Sequence, residues 1–468
     1  MSDAGFTTWQ WLGLVQHELL LFAAVFFLLG AIDEFAVDLT WLWLKLSGRA
    51  EDKRIPLDGS NKLSGIAAVF VPAWMEAPVI GATVAHALKA WPQTELRLYV
   101  GCYRNDQQTI AAVLASIGQD NRVRLVIHDK AGPTTKADCL NRLFQALQTD
   151  ERRTGERSRM IVLHDAEDMV DPAGLGLLDH AMESADMAQL PVLPQPQRSS
   201  PWIGSHYCEE FVEAHGKAMV VRDALRAGMP LAGVGCAIGR DALQRIADSK
   251  ENGQPFAAEC LTEDYELGLG VYEQGGAARF LRYRHDNGAL VATRAYFPSR
   301  LDTAVRQKTR WVHGIAFQAW DRLGWQGRPV EIWMRLRDRR GPLAALVLAV
   351  AYALLVLSTL AWGLAALGFG EPIRLSDTLV LILWLNFASF VWRGAWRFGF
   401  TAREYGWSEG IRSILRIPVT NIIAIMAGRR AIMAYLRSLG GQQPAWDKTD
   451  HQTHPVHTIA HERAEAVA

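Results

Sequence analysis

Two kinds of hydrophobic pattern alternate along this chain. Long runs with few charges extend from Leu343 to Leu367 and from Leu379 to Val391 with its flanks. Each approaches the roughly 20 apolar residues that cross a bilayer, and they predict two membrane helices. The stretch from Trp9 to Ile32 predicts a third. It is interrupted by Gln16, His17 and Glu18, while Trp9 and Trp11 are placed to anchor one end at an interface. It lacks a basic n-region and a small-residue cleavage site after a short apolar core, so a cleaved signal peptide is the weaker reading. Between these blocks the pattern changes. Ile66 to Val71, Leu96 to Val100, Val123 to Ile127 and Met160 to Leu163 are short, β-rich, nearly continuous apolar runs, as strands covered on both faces should be. Helical patterns near Val79 to Lys89, Thr109 to Ser116 and Lys136 to Leu147 separate them. The alternation predicts an α/β domain with a mostly parallel sheet.

In such sheets ligands sit beyond the carboxyl ends of the strands. Polar clusters fall at those ends: Trp74 and Glu76, Tyr103 to Asp106, His128 and Asp129, and His164 to Asp168.

Composition adds limits. The 468 residues carry 49 basic and 49 acidic side chains and are 50% hydrophobic. The chain can therefore bury a sizeable core and is not nucleic-acid-like, and its net charge names no partner. The five cysteines are odd in number, form no C-x-x-C pair and lie in the middle region. That suits inert buried thiols in a reducing compartment.

The distribution of Lys and Arg sets an orientation. None precedes Trp9, whereas Lys45, Arg49, Lys53 and Arg54 follow the first run. Arg335, Arg337, Arg339 and Arg340 precede the second run, and Arg393, Arg397 and Arg403 follow the third. The short loop near Pro372 holds only Arg374. The middle region and the C-terminus are thus expected to be cytoplasmic. From Ile411 to Leu439, Arg412, Arg416, Arg429, Arg430 and Arg437 are mixed with Ile417, Ile422, Ile423, Ile425 and Met426. A span there would draw arginines into hydrocarbon at about 2.5 to 3.5 kcal/mol each, which favours an interfacial amphipathic helix. Beyond Gly440 the chain turns polar. His451, His454, His457 and His461 show no fixed spacing, so a mobile tail is favoured over a metal site. The expected organisation is a membrane helix and linker over 1–54 and a catalytic domain over 55–340. Two spans follow over 341–400, then an interfacial region over 401–440 and a polar tail over 441–468.

Three polar motifs carry candidate chemistry. Asp165, Glu167 and Asp168 are hard oxygen ligands emerging together from a strand end, as Mg²⁺ or Mn²⁺ needs when it also grips a diphosphate. An acidic turn is the plain alternative. In Thr262-Glu263-Asp264, Asp264 is placed to accept a proton from an attacking sugar hydroxyl, or the motif is a helix start with Thr262 as cap. Gln307, Arg310 and Trp311 share one helical face. Trp offers a plate to a sugar ring and Arg a charge to a diphosphate, although both residue types also suit a membrane-surface anchor.

In this order the motifs resemble the D-x-D, T/S-E-D and Q-x-x-R-W hallmarks of processive membrane glycosyltransferases of family 2, relatives of cellulose, chitin and hyaluronan synthases. Within that family the chain is most similar to bacterial inner-membrane proteins of the phage-adsorption protein B type. The resemblance rests on Val71-Pro72-Ala73-Trp74 with Glu76 and Ile80, Tyr99 to Tyr103 with Asn105-Asp106, Lys136-Ala137-Asp138 with Leu140-Asn141, His164 to Asp168, and Trp446 to His451. It covers roughly residues 60 to 455.

The resemblance implies a GT-A-like, Rossmann-like fold in which Glu76 and Lys136 face the nucleotide. It also implies that Asp165 and Glu167 hold Mg²⁺ or Mn²⁺, that Asp264 is the base with Glu263 beside it, and that Gln307, Arg310 and Trp311 hold the acceptor terminus. Two departures stand out. Many relatives place an Asp pair after the second strand to grip uracil, whereas Gly101 and Cys102 stand here and only Asp106 remains nearby. The second acid of D-x-D is Glu167, which keeps the charge and lengthens the arm. Longer relatives carry a C-terminal regulatory module, which this chain is expected to lack.

The implied activity is inverting transfer from a nucleotide-sugar, expected to be a UDP-sugar, to a growing polysaccharide exported across the bacterial inner membrane. Single transfer to a lipid-linked acceptor and a non-catalytic envelope scaffold are the alternatives. Besides donor, glycan or lipid-linked acceptor and membrane lipid, a second copy or an export partner is expected, because about three spans do not assure a polymer channel.

Overall fold

The computed structural model describes residues 8–56, 62–369, 375–441 and 454–456. Its centre is a seven-stranded sheet built from β1 (Ile66–Pro72), β2 (Leu96–Tyr103), β3 (Val123–His128), β4 (Ser158–Leu163), β5 (Met187–Gln189), β6 (Cys236–Gly239) and β7 (Ala278–Phe280). The spatial order is β3-β2-β1-β4-β6-β5-β7, and β6 alone runs against the others. The four apolar runs predicted as strands are β1 to β4, and the three predicted helices are Ile80–Ala90, Gln107–Ile117 and Lys136–Thr154.

Strand periodicity explains why these runs are apolar throughout. In β1, Ala67, Val69 and Val71 enter one core cluster while Ala68 and Phe70 enter another on the opposite face. Each such large apolar side chain contributes about 1.5–3 kcal/mol on full burial. The helices start where side chains satisfy their first amides: Asp106 accepts from Thr109 N–H, and Thr135 from Asp138 N–H. The second of these caps places Lys136 in a first turn directly above the strand ends. All five cysteines are buried and form no disulfide, and burial pushes the Cys102 and Cys139 thiols up to about 12.

Among the described residues, four helices are long and apolar enough to cross a membrane, by length and composition: Trp9–Leu46, Gly341–Ala366, Asp377–Tyr405 and Ile417–Leu439. The first helix does not stop near Ile32. It continues through Asp33, Glu34 and Asp38 because cations from elsewhere neutralise them. Arg340 lies 2.5 Å from Asp33, Arg337 and Arg393 each lie 3.0 Å from Glu34, and Lys217 lies 2.6 Å from Asp38. The polar interruption at Gln16 is a helix contact, its amide donating to Ser358 Oγ at 2.7 Å.

The region 401–440 has two parts besides the end of the third long helix. Trp407–Leu415 is a short amphipathic helix and Ile417–Leu439 a continuous one. The second meets the third long helix near its start and the α/β domain near its end. Thr420 Oγ1 accepts from Arg397 at 3.2 Å, and Tyr435 donates to Asp321 at 3.1 Å while its ring stacks on Phe317. At Gly428 the backbone lies so close to Ala345 that no side chain fits. The arginine expected to oppose burial here, Arg416, is fully buried and paired with Glu209 and Glu409.

One expectation for the tail changes. Of the four C-terminal histidines, His454 is described, and it is fully buried against the catalytic domain rather than part of a mobile segment. His451, His457 and His461, like the Trp446 to His451 stretch, lie outside the described residues.

Candidate active site

The carboxyl ends of β1, β2 and β4 open into a cleft of about 390 Å³. Glu76, Lys136, Asp165, Glu167, Glu263, Asp264, Gln307, Arg310 and Trp311 all line it. The structure thus brings together every site residue expected from the sequence except Asp106.

Asp106 faces elsewhere. Its Oδ2 accepts from Met75 N–H at 2.6 Å and its Oδ1 from Thr109 N–H, so both oxygens are spent on backbone. Met75 adopts a left-handed backbone, φ 56, which a residue with a long side chain rarely does without support. Asp106, with Thr109 Oγ1 accepting from Glu76 N–H, supplies that support. The expected nucleotide contact is therefore corrected to a brace for the Trp74-Met75-Glu76 turn. Aromatic rings border that turn: Tyr103 packs edge-on against Trp74 and stacks on His128.

Lys136 Nζ reaches Asp165 Oδ1 at 2.5 Å. Burial disfavours its charge, but the attraction of Asp165, Glu263 and Asp264 outweighs burial and holds the ammonium above the ordinary lysine range. The loop that carries Asp165 and Glu167 is pinned from within. Asp168, itself buried, accepts from Asp165 N–H at 2.9 Å and pairs with His164 Nδ1 at 2.8 Å. Among the described residues no three His, Cys, Asp or Glu side chains gather as a metal site. Two carboxylates facing a cleft nevertheless suit a Mg²⁺-type ion, which completes its shell with water and substrate phosphate oxygens.

Thr262 occupies the residue before the Glu263–Glu273 helix but makes no capping hydrogen bond. It packs instead against Gly314, whose missing side chain makes room for it. Asp264 is in the first turn, with Oδ1 accepting from Tyr265 N–H at 2.8 Å. Its Oδ2 faces the backbone of Gly233, where φ is 76 and an added Cβ would lie 2.5 Å away. Burial raises both carboxyls. It pushes Glu263, helped by the neighbouring Asp264 charge and opposed by Lys136, up to about 7, and it raises Asp264 against the pull of Lys136.

Gly233→Ala should force Asp264 aside. A misplacement on the order of 1 Å costs a reacting group about 10²-fold, so with Asp264 as the base proposed below, turnover should fall at least tenfold with the donor KM unchanged. Steady-state kinetics on the membrane-embedded chain check this.

Trp311 stands in an aromatic wall formed by Tyr207, Phe211 and Phe297, with ring centroids 6.0, 6.1 and 6.4 Å away. The neighbouring Lys308 pairs with Glu210 and lies over the Tyr207 ring. These supporting residues, and Gly233 and Gly314, carry no signal in the sequence alone. A π-helical turn, Gly314–Gln318, directly follows the Gln307-to-Trp311 helix and lets Gln318 accept from Leu261 N–H at 3.1 Å, tying that helix to the Thr262 loop.

A mostly parallel sheet with carboxylates, a lysine and an Arg/Trp platform at its strand ends defines a GT-A-like glycosyltransferase domain. The chain belongs to the family described as glycosyltransferase-like family 2, whose model matches residues 65–314. It is 33% identical over 479 aligned residues to bacteriophage adsorption protein B of Escherichia coli K12 and to bacteriophage N4 adsorption protein B of Escherichia coli O157:H7. Those matches cover 95% of this chain and 63% of each relative, so the chain spans less than two thirds of their length. Among solved structures, a mannosyltransferase from Pyrobaculum calidifontis in complex with GDP-Man and Mn²⁺ shares the fold, with TM-score 0.51, 16% identity, and coverage of 86% of this chain and 99% of that one.

Proposed function

We propose that the chain is an inverting, membrane-embedded glycosyltransferase that moves a sugar from a nucleoside-diphosphate donor to a growing polysaccharide for export. The observation that carries this reading is the placement of Asp264 in the same cavity as Asp165, Glu167 and Trp311. The acceptor sugar stacks on Trp311, which presents its terminal hydroxyl to the cleft. As that hydroxyl attacks the anomeric carbon, its proton passes to Asp264 while the bond to the diphosphate breaks on the opposite face. Arg310 and Lys136 offset the negative charge gathering on the leaving diphosphate. A divalent cation held by Asp165 and Glu167 would neutralise more of that charge. One displacement inverts the anomeric centre, and no covalent sugar-protein bond is formed.

The Lys and Arg distribution supports a cytoplasmic cleft, in the compartment where activated sugars are made. The contacts of Tyr435 with Asp321 and Phe317 of the globular domain support the Ile417–Leu439 helix lying along the membrane border, with the other three long helices crossing. The test is incubation of membranes bearing the chain with labelled UDP- and GDP-sugars plus Mg²⁺ or Mn²⁺, followed by sizing of the product. High-molecular-weight glycan supports the synthase, and a short lipid-extractable product replaces it with single transfer to a carrier. No product from any donor overturns the catalytic reading.

The raised carboxyls give a pH signature. A base works only when unprotonated, so a raised value loses activity at higher pH than an ordinary carboxylate near ~4. Initial rates at saturating donor should fall on acidification through a limb above the ordinary carboxylate range, because burial raises Asp264. A limb centred near ~4 would contradict the assignment.

A further inference from the structure

The loop that presents Asp165 and Glu167 is held at almost every peptide that follows. Thr83 Oγ1 donates to Ala166 O, and Met169 exchanges two backbone hydrogen bonds with Arg294. His86 Nε2 donates to Val170 O at 2.9 Å. The remaining anchor comes from the far end of the chain. His454, fully buried, places Nε2 3.2 Å from Asp168 O. Its Nδ1 accepts from Val456 N–H at 3.1 Å, so the ring is neutral and the proton resides on Nε2, which donates to the Asp168 carbonyl. Pro455 is buried beside it, and the His454 and His86 rings lie 6.4 Å apart, on the same side of the loop. Asp168 is the residue whose carboxylate holds Asp165 N–H, so its main chain and side chain act as one brace on the acidic loop.

We propose that residues 454–456 form a clasp on the acidic loop, and that His454, as a positioning residue, sets how tightly Asp165 and Glu167 hold a divalent cation. The proposal rests on the reading of those carboxylates as the cation site. It makes residues 454–456 part of the machinery of a cleft that they do not line. Release of the clasp frees Asp168, loosens the Asp165 amide and lets the two carboxylates separate, which weakens the cation without removing a ligand.

The test uses the full chain in nanodiscs, with Mn²⁺ alone as probe. Free Mn²⁺ is followed by electron paramagnetic resonance, and amide hydrogen exchange is read across 164–170. His454→Ala and His454→Phe should weaken Mn²⁺ about five- to tenfold, the range one lost hydrogen bond supports, and should speed exchange within 164–170 alone. His454→Gln, which keeps an N–H near the Nε2 position, should stay within about twofold of wild type. Wild-type affinity in His454→Phe would overturn the clasp, since Phe fills the space without donating. Faster exchange throughout the domain, or a Gln variant no better than Ala, would do the same. Asp165→Asn separates the two readings. If it binds Mn²⁺ as wild type does, the cation reading fails, and exchange at 164–170 alone still decides whether His454 holds the loop.

Discussion

Asp264→Asn is expected to reduce glycosyl transfer by about 10²- to 10⁴-fold, the range a positioned general base supplies, while nucleotide binding stays nearly intact. The substitution is isosteric, and an amide oxygen still accepts from Tyr265 N–H as Asp264 Oδ1 does. What disappears is the ability to take a proton. Glu76, Lys136 and the acidic loop, proposed above to face the donor, are untouched, so the loss should fall on turnover and leave the donor dissociation constant within about twofold. The measurement pairs product formation with equilibrium binding of the labelled nucleoside diphosphate. Equal loss of both would show that Asp264 supports the donor and does not act as the base.

The second large effect concerns stability. Arg416 and Glu209 are fully buried, and Arg416 meets Glu209 through Nη2 at 2.9 Å and Nε at 3.1 Å while also reaching Glu409 Oε2 at 2.9 Å and Pro201 O at 2.8 Å. Arg397 adds a contact to Glu209 at 2.8 Å. Arg416→Ala leaves a buried carboxylate with one partner where it had two, at a cost of about 3–5 kcal/mol. Arg416→Lys cannot reproduce the two-pronged contact and should lose a smaller part of that. A Glu209→Leu, Arg416→Met double variant removes both charges and should recover much of the loss. Denaturant midpoints of the full chain in detergent check the series. Single variants within about 1 kcal/mol of wild type would show that water reaches the pair.

Much of the cleft was legible in the sequence because its parts are local. Ile66 to Val71 reads as a strand from β-rich composition alone, and the polar residues after each such run mark the side of the sheet where ligands collect. The motifs at 165–168, 262–264 and 307–311 need only their order to suggest one site. Asp106 was not legible, since an acid just after a strand suits a nucleotide contact and a helix cap equally. Only the position of the Met75 amide separates them. The continuation of the first helix was hidden for a similar reason. Asp33, Glu34 and Asp38 argue against an apolar helix until arginines and a lysine from distant segments are placed beside them. His454 lies far along the chain from Asp168, and nothing in the spacing of four histidines marks that contact.

The first helix has a mechanical consequence. Its 39 residues make a rod of about 58 Å, roughly twice the hydrocarbon thickness of a bilayer. One face of the third of the helix beyond Asp33 packs into the globular part. Val37 and Leu44 pack with Val221, Ala227 and Met334, and Trp41 donates to Gly216 O at 2.8 Å. The globular part is therefore mounted on a rigid mast rather than hung from a tether. A fragment cut before residue 55 to obtain a soluble enzyme would lose the mast and bare the socket that held it.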